Sequence, residues 1–298
     1  MRRSVYFRRS MRHADEHRYG IIGHPIAHSR SPAMQNAAFH ALKIPATYAA
    51  WDVPPRGLRR WLATAPQRGV CGFNVTVPHK ERVAEWLGAS ALSREARLIG
   101  AVNTVVKRGG RWTGHNTDAH GFLTALQRDL GWRPRGRRAV VLGAGGAARA
   151  VCIALVQAGA SQVVIANRTR ERAQALARWM RQCLPDAPIV TIGWSAEVIG
   201  CALRTADLLV NATSVGLHAG HRLPVNAGAL HRGLVVYDLV YGRSPTRLVA
   251  HARRRGLVAS DGLGMLLYQG ARAFALWTRR RAPLAVMRRG LQTKRAHQ

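Results

Sequence analysis

Between two apolar runs, the stretch "VVLGAGGAARAVCIAL" sets Gly143, Gly145 and Ala148 in a G-x-G-x-x-A spacing. The first glycine permits a tight turn, the second lets backbone approach a pyrophosphate, and the helix that follows presents unpaired amides to phosphate oxygens. With a strand before it and "QVVIAN" after it, the pattern fills one strand-helix-strand unit, so Gly143, Ala144, Gly145, Gly146 and Ala147 are expected to cradle a dinucleotide. The end of the second strand chooses which one. There the chain reads "NRTRER", with Asn167, Arg168, Thr169 and Arg172 and no acid before Glu171. A carboxylate would bind ribose hydroxyls and repel a 2′-phosphate, whereas guanidinium groups pair with one, so NADP is expected over NAD.

A second chemical pattern is "HSRSPAMQN", residues 28 to 36. Ser31 is expected to cap a helix with Pro32 at its first position. Met34 stands where a capping box needs Glu or Gln, so Ser29 is surplus to capping. Two hydroxyls two residues apart in an extended turn can both point at one carboxylate. Metal chemistry is not expected: His24 and His28 have a helical ligand spacing, but Pro25 breaks the helix it requires. Cys71, Cys152, Cys183 and Cys201 form no CxxC pair and read as reduced structural thiols.

The elements that must position these groups alternate. "YGIIG" reads as strand, "PAMQNAAFHALKI" as helix, "ATYAAWDV" as strand, "RGLRRWLATAP" as helix and "GVCGFNVTVP" as strand, which argues for a mostly parallel, helix-covered sheet. No element is assigned between Pro78 and Gly100. A strand pair turning at "RGG" follows, then the helix "AHGFLTALQRDLGW" and a break at "RPRGRR". Beyond it lies a second α/β unit, with strands at "RAVVL", "QVVIA", "PIVTIG", "ADLLVNAT", "GLVVYDLV" and near Leu257 to Ser260. The apolar helix "GMLLYQGARAFALWTRR" is expected to return to the first unit. The fold class expected is therefore α/β: an N-terminal substrate-binding and catalytic domain at 19–117, completed by helices of 263–298, and a Rossmann-type NADP-binding domain at 118–262.

Bulk properties bound the function. The 298 residues carry a net charge of +32, and only Lys43, Lys80, Lys107 and Lys294 among the basic residues are lysine. Such a field attracts anions non-specifically. Residues 1–18 contribute only +4 of it and read as a basic, disordered leader, Met11 offering a second start. That leader has no apolar segment, so a secretory signal is not expected and cytoplasmic residence is. The partners expected are a small-molecule substrate, loosely held anions and a second copy in a homodimer, with no membrane.

Nine stretches, "GHPIAHSRSPAMQN", "GFNVTVPHK", "GAVNT", "GHNTD", "GAGGAARA", "NRT", "NATSVG", "YDLVYGRSPT" and "DGLGMLLYQGARAF", together resemble the shikimate dehydrogenase family over residues 19 to 278. The resemblance implies NADP-dependent reduction of 3-dehydroshikimate to shikimate in aromatic amino acid biosynthesis. It makes Lys80, closing "NVTVPHK", and Asp118, closing "GHNTD", the catalytic pair. A lysine can protonate the oxygen of a ketone that accepts hydride, and a carboxylate can hold it in place. Lysine was not the default cation in so arginine-rich a chain. The resemblance further implies that Ser29 and Ser31 grip the substrate's carboxylate, that Thr76, Asn103 and Gln269 bond its polar groups, and that Tyr241 lines the site. Alone, those three polar residues read equally as β-propensity, turn chemistry and a solvated helix position. Asn211, Thr213, Gly262 and Met265 fall where the family packs against the nicotinamide. Arg30 falls where family members vary. A dual quinate/shikimate dehydrogenase is the nearest alternative, and a catalytically idle basic protein of this fold that binds nucleic acid or a partner is the remote one.

Overall fold

A computed structural model describes residues 17–217, 223–242 and 244–292. Most of the basic leader lies outside these residues, but its last two belong to a strand. The first sheet is built from β1 (His17–Gly23), β2 (Ala46–Asp52), β3 (Val70–Val75), β4 (Thr104–Arg108) and β5 (Arg111–His115), in the order β2-β1-β3-β4-β5. β1 pairs in parallel with β2 and β3, while β3-β4 and β4-β5 are antiparallel. The second sheet is parallel throughout: β6 (Arg138–Leu142), β7 (Gln162–Ala166), β8 (Ile189–Ile192), β9 (Leu208–Asn211), β10 (Val235–Asp238) and β11 (Ala259–Ser260), ordered β11-β10-β9-β6-β7-β8. Strands β9 and β10 are buried along their whole length because helices cover both faces. The chain reverses direction across the sheet between β6 and β9, where parallel α/β sheets open a crevice for ligands.

Helices α1 (Ser31–Ala41), α2 (Leu58–Thr64), α3 (Lys80–Leu87), α4 (Arg94–Ile99) and α5 (Asp118–Leu130) surround or follow the first sheet. α6 (Gly146–Gln157), α7 (Arg170–Cys183), α8 (Ala196–Leu203) and α9 (Arg247–Arg254) accompany the second. The chain ends in α10 (Leu263–Thr278) and α11 (Leu284–Gln292), and α10 runs back across the first sheet: Trp277 Nε1 donates to the Val105 carbonyl at 3.0 Å. Gly72 makes room for that indole, since a Cβ there would lie 2.6 Å from Nε1. Gly121 likewise lets α5 close on α10; its Cβ would stand 2.7 Å from Cβ of Gln269. These two glycines bring three site-bearing elements into one crevice. None of the helices among the described residues is long and apolar enough to cross a membrane.

Two expectations are corrected here. The segment after Pro78 is helical: α3 starts at Lys80, and α4 is capped by Ser93, whose hydroxyl accepts from the Ala96 amide at 3.2 Å, and stopped by left-handed Gly100. Ser93 and Gly100 are start and stop signals that the sequence carries; both helices are short, which hid their periodicity. Lys80 and Asp118 therefore open helices rather than close a strand or turn. The second correction concerns α1. Arg30 is its N-cap, Ser31 is already helical, and no side chain at the cap position bonds the first turn. It is Ser29 whose Oγ accepts from the Ser31 amide, at 3.3 Å.

Candidate active site

Lys80 and Asp118 meet where the first turns of α3 and α5 face each other. Lys80 Nζ lies 2.6 Å from Asp118 Oδ2, with the two side chains only 12% and 6% exposed. A carboxylate at the first position of α5 gains from the helix dipole. A buried ion pair is weak evidence for stability, because desolvation offsets most of its attraction. Its place in a crevice, rather than in a packed core, points to chemistry.

The pair is held by a buried polar network. Asn103 Nδ2 donates to Asp118 Oδ1 at 2.8 Å and lies within reach of Thr117 Oγ1 and Gln269 Oε1, while its Oδ1 accepts from the Thr117 amide at 2.8 Å. Asn116 braces the turn by accepting from the Asp118 amide and donating to the Ala101 carbonyl. Asn74 donates to the Asn103 carbonyl and Thr104 Oγ1, and accepts from the Tyr48 hydroxyl at 2.7 Å. Sequence reasoning missed Asn74, Tyr48, Asn116 and Thr117. The one signal for Asn74 is a polar residue inside the apolar run "CGFNVTV".

A cavity of about 170 Å³ opens onto this network from the cleft between the two sheets. It is lined by Ser29, Ser31, Thr76, Lys80, Asn103, Asp118, Tyr241 and Gln269, all eight of the substrate and catalytic candidates, together with Ala147, Gly262 and Met265 from the dinucleotide set. Ile21, Ile26, Val75 and Leu239 supply apolar walls. A larger groove of about 420 Å³ between α2 and α3 contains none of the candidates. The two phenols near the cavity stay protonated at neutral pH. Burial pushes Tyr48 well above the usual tyrosine range, and burial pushes Tyr241 up to about 12, partly offset by the charge of Arg30.

The dinucleotide candidates divide into three groups. Gly143 adopts φ +111° and has no room for a side chain, its Cβ falling 2.9 Å from the Ala212 carbonyl, whereas a Cβ at Gly145 would meet nothing within 4 Å. That open space before the α6 N-terminus fits a pyrophosphate and its amide donors. Gly146 faces Lys80, whose Cβ lies 3.2 Å from where its own would be, so the glycine turn and the lysine are neighbours. Arg168, Thr169 and Arg172 are exposed just past β7, away from the cavity, while Asn167 donates to the Thr169 carbonyl at 2.7 Å and shapes their turn. This arrangement suits a phosphorylated ribose lying across the strand end. Asn211 departs from expectation: fully buried, its amide donates to Val215 and Asp238, and its oxygen accepts from the Thr213 amide and hydroxyl. Its side chain braces the loop and leaves only backbone to face a ligand.

Asp238, at the end of β10, completes that brace. Burial pushes its carboxyl up to about 6 against hydrogen bonds from Thr246, the Val240 amide and Asn211. A raised folded-state pKa means that the folded chain holds an extra proton between roughly pH 4 and 6, so this group's stabilising contribution is lost as pH rises through that window. Asp238→Asn is expected to remove that slope, up to roughly 3 kcal/mol, from urea-derived stabilities compared at pH 4 and 7; an unchanged slope would show that the Asp238 carboxyl binds its proton equally in the folded and unfolded chain.

Comparison with known proteins converges on one group. Family profiles match at residues 21–105 (shikimate dehydrogenase substrate binding domain), 126–226 (shikimate / quinate 5-dehydrogenase) and 262–292 (shikimate 5′-dehydrogenase C-terminal domain). The shikimate dehydrogenase (NADP+) of Methanopyrus kandleri is 48% identical over 271 residues, covering 90% of this chain and 92% of its own. A crystal structure of the Thermus thermophilus shikimate 5-dehydrogenase with NADP(H) and shikimate superposes with a TM-score of 0.80 at 40% identity, over 93% of this chain and 98% of that one. A quinate dehydrogenase from Corynebacterium glutamicum, solved with NAD, gives a TM-score of 0.83 at 33% identity, over 92% and 98% of the two chains.

Proposed function

The chain belongs to the shikimate dehydrogenase family, and on that premise we propose that it interconverts 3-dehydroshikimate and shikimate with NADP(H) as the redox partner. When bound, the dinucleotide would supply the hydride for the ketone carbon in its reduced form, NADPH, or receive it in its oxidised form, NADP+, in the reverse direction. The chain's own residues do the rest. Lys80, steered by Asp118, gives a proton to the carbonyl oxygen as that carbon is reduced, and takes one back in the oxidation. Asp118 and Asn103 accept and donate to neighbouring hydroxyls, while Ser29 and Ser31 hold the carboxylate at the far end of the cavity. Closure of the cleft excludes water and sets donor against acceptor. Gly143 to Ala147 hold the pyrophosphate, and Arg168 and Arg172 hold the 2′-phosphate.

The observation that carries this reading is the 2.6 Å ion pair at the wall of a cavity whose other wall is the start of α6. The reading is tested by following reduced-nicotinamide absorbance with shikimate or quinate crossed against NADP or NAD. Rapid turnover with shikimate and NADP is the expected result, and none in any of the four pairings would sink it. Arg168→Ala combined with Arg172→Ala is expected to raise the NADP KM by about tenfold to a few hundredfold, one or two charge-assisted bonds, while leaving the NAD KM nearly unchanged. Equal losses with both dinucleotides would mean that the arginines do not read the phosphate. Cytoplasmic residence and a homodimer, measurable by sedimentation, complete the proposal.

A further inference from the structure

Arg30 stands between the two serines and belongs to none of the groups given a role above. Its half-buried side chain leaves the loop before α1 and ends in two charge-assisted hydrogen bonds. Nη1 donates to the Leu291 carbonyl at 2.9 Å and Nη2 to the Gly242 carbonyl at 2.8 Å. Leu291 lies in the last turn of α11, and Gly242 directly follows Tyr241, which walls the cavity from the second-sheet side. One planar fork thus ties its own loop to two segments 212 and 261 residues further along the chain, immediately beside two of the residues lining the cavity. At the start of α1 the cap residue itself bonds no helix amide, so within the loop only the Ser29 hydroxyl, accepting from the Ser31 amide, and the Ser29 amide, donating to the Ile26 carbonyl, fix it locally.

We infer that Arg30 is a positioning residue for the substrate's carboxylate: it moors the serine loop to the Tyr241 loop and to α11, and so sets the Ser29 and Ser31 hydroxyls against the opposite wall of the cavity. The inference rests on the proposed reading of that cavity. An unmoored loop would have to be ordered at the moment of binding, and that ordering lowers affinity without changing any contact the substrate makes. Proton transfer should be spared, because Lys80 and Asp118 sit on α3 and α5. Lysine at this position would keep the charge but could not fork to two carbonyls, which separates mooring from long-range attraction of an anion.

Arg30→Met, which keeps the apolar stem, is expected to raise the shikimate KM at least about tenfold while kcat and the NADP KM stay near wild type and the melting temperature falls by only a few degrees. Arg30→Lys should recover only a minor part of the loss. Hydrogen exchange without ligands should speed up in peptides spanning Ile26–Ser31 and Leu239–Gly242 of Arg30→Met and not in α7. The inference is overturned by an unchanged shikimate KM in Arg30→Met, by full recovery in Arg30→Lys, or by kcat, both KM values and melting temperature failing together. If the wild-type protein turns over no shikimate, the functional reading fails, and the exchange comparison alone decides the mooring: unchanged exchange removes it.

Discussion

Lys80→Ala is expected to lower kcat for shikimate oxidation by about 10²- to 10⁴-fold, the usual contribution of a positioned acid or base, with the shikimate KM moving only a few-fold. The geometry gives the reason for the split. Lys80 Nζ pairs with Asp118 at the wall of the cavity, and six other polar residues line it as the proposed partners of the substrate's hydroxyls and carboxylate: Ser29, Ser31, Thr76, Asn103, Tyr241 and Gln269. On the proposed reading binding is spread over those partners, whereas proton transfer rests on Lys80. The substitution also leaves the Asp118 carboxylate buried with Asn103 as its remaining side-chain donor, which costs about 3–5 kcal/mol of stability. Denaturation midpoints should therefore accompany the kinetics. A collapse of shikimate affinity with turnover preserved would remove Lys80 from the proton path.

The second large effect belongs to the serines. Each hydroxyl that donates to a carboxylate contributes about 1.5–3 kcal/mol, so Ser29→Ala and Ser31→Ala are each expected to raise the shikimate KM by roughly ten- to a hundredfold. The structure changes what each substitution does to the fold. Ser29 Oγ already accepts from the Ser31 amide, which leaves its hydrogen to point into the cavity; its loss strips that amide of a partner and costs about 1 kcal/mol. Ser31 caps nothing, and its hydroxyl reaches the Tyr48 phenol, which in turn donates to Asn74. Ser31→Ala should thus disturb the polar wall more than the helix. Shikimate KM values within twofold of wild type in both variants would place the carboxylate elsewhere. The reversal of the two serines' structural roles follows from one fact: helix α1 begins a residue earlier than the proline pattern suggests, so that Arg30 occupies the cap position.

Much of the fold was legible because its signals are local. The buried parallel strands read as unbroken apolar runs, the glycine turn lies at the spacing its tight bend requires, and "NRTRER" states its charge without any neighbour from afar. The antiparallel pair β4-β5 announces itself by the two glycines of its turn, both in left-handed backbone. The helices between Pro78 and Gly100 escaped because six to eight residues hold too few turns for a period to emerge. The error mattered, since it set Lys80 at a strand end instead of a helix start.

Residue types and their order were enough to identify a dinucleotide-binding α/β chain and to favour a phosphorylated ribose, and the family resemblance they carry nominated Lys80, Asp118 and the serines. They could not say that a lysine and an aspartate 38 positions apart close to 2.6 Å, or that Asn103 bonds the same carboxylate. Nor could they show that Asn211, which looks like a ligand contact, is consumed by Asp238, Thr213 and Val215. Hydrogen-bond satisfaction in a buried site is a property of what surrounds a group, and those surroundings are assembled from α3, α5, β4 and α10 only when Gly72 and Gly121 let α10 close over the first sheet. "HSRSPAMQN" shows the same limit most sharply. Its hydroxyls declared themselves by spacing, while the arginine between them acquired a role only when α11 and the loop after β10 arrived beside it.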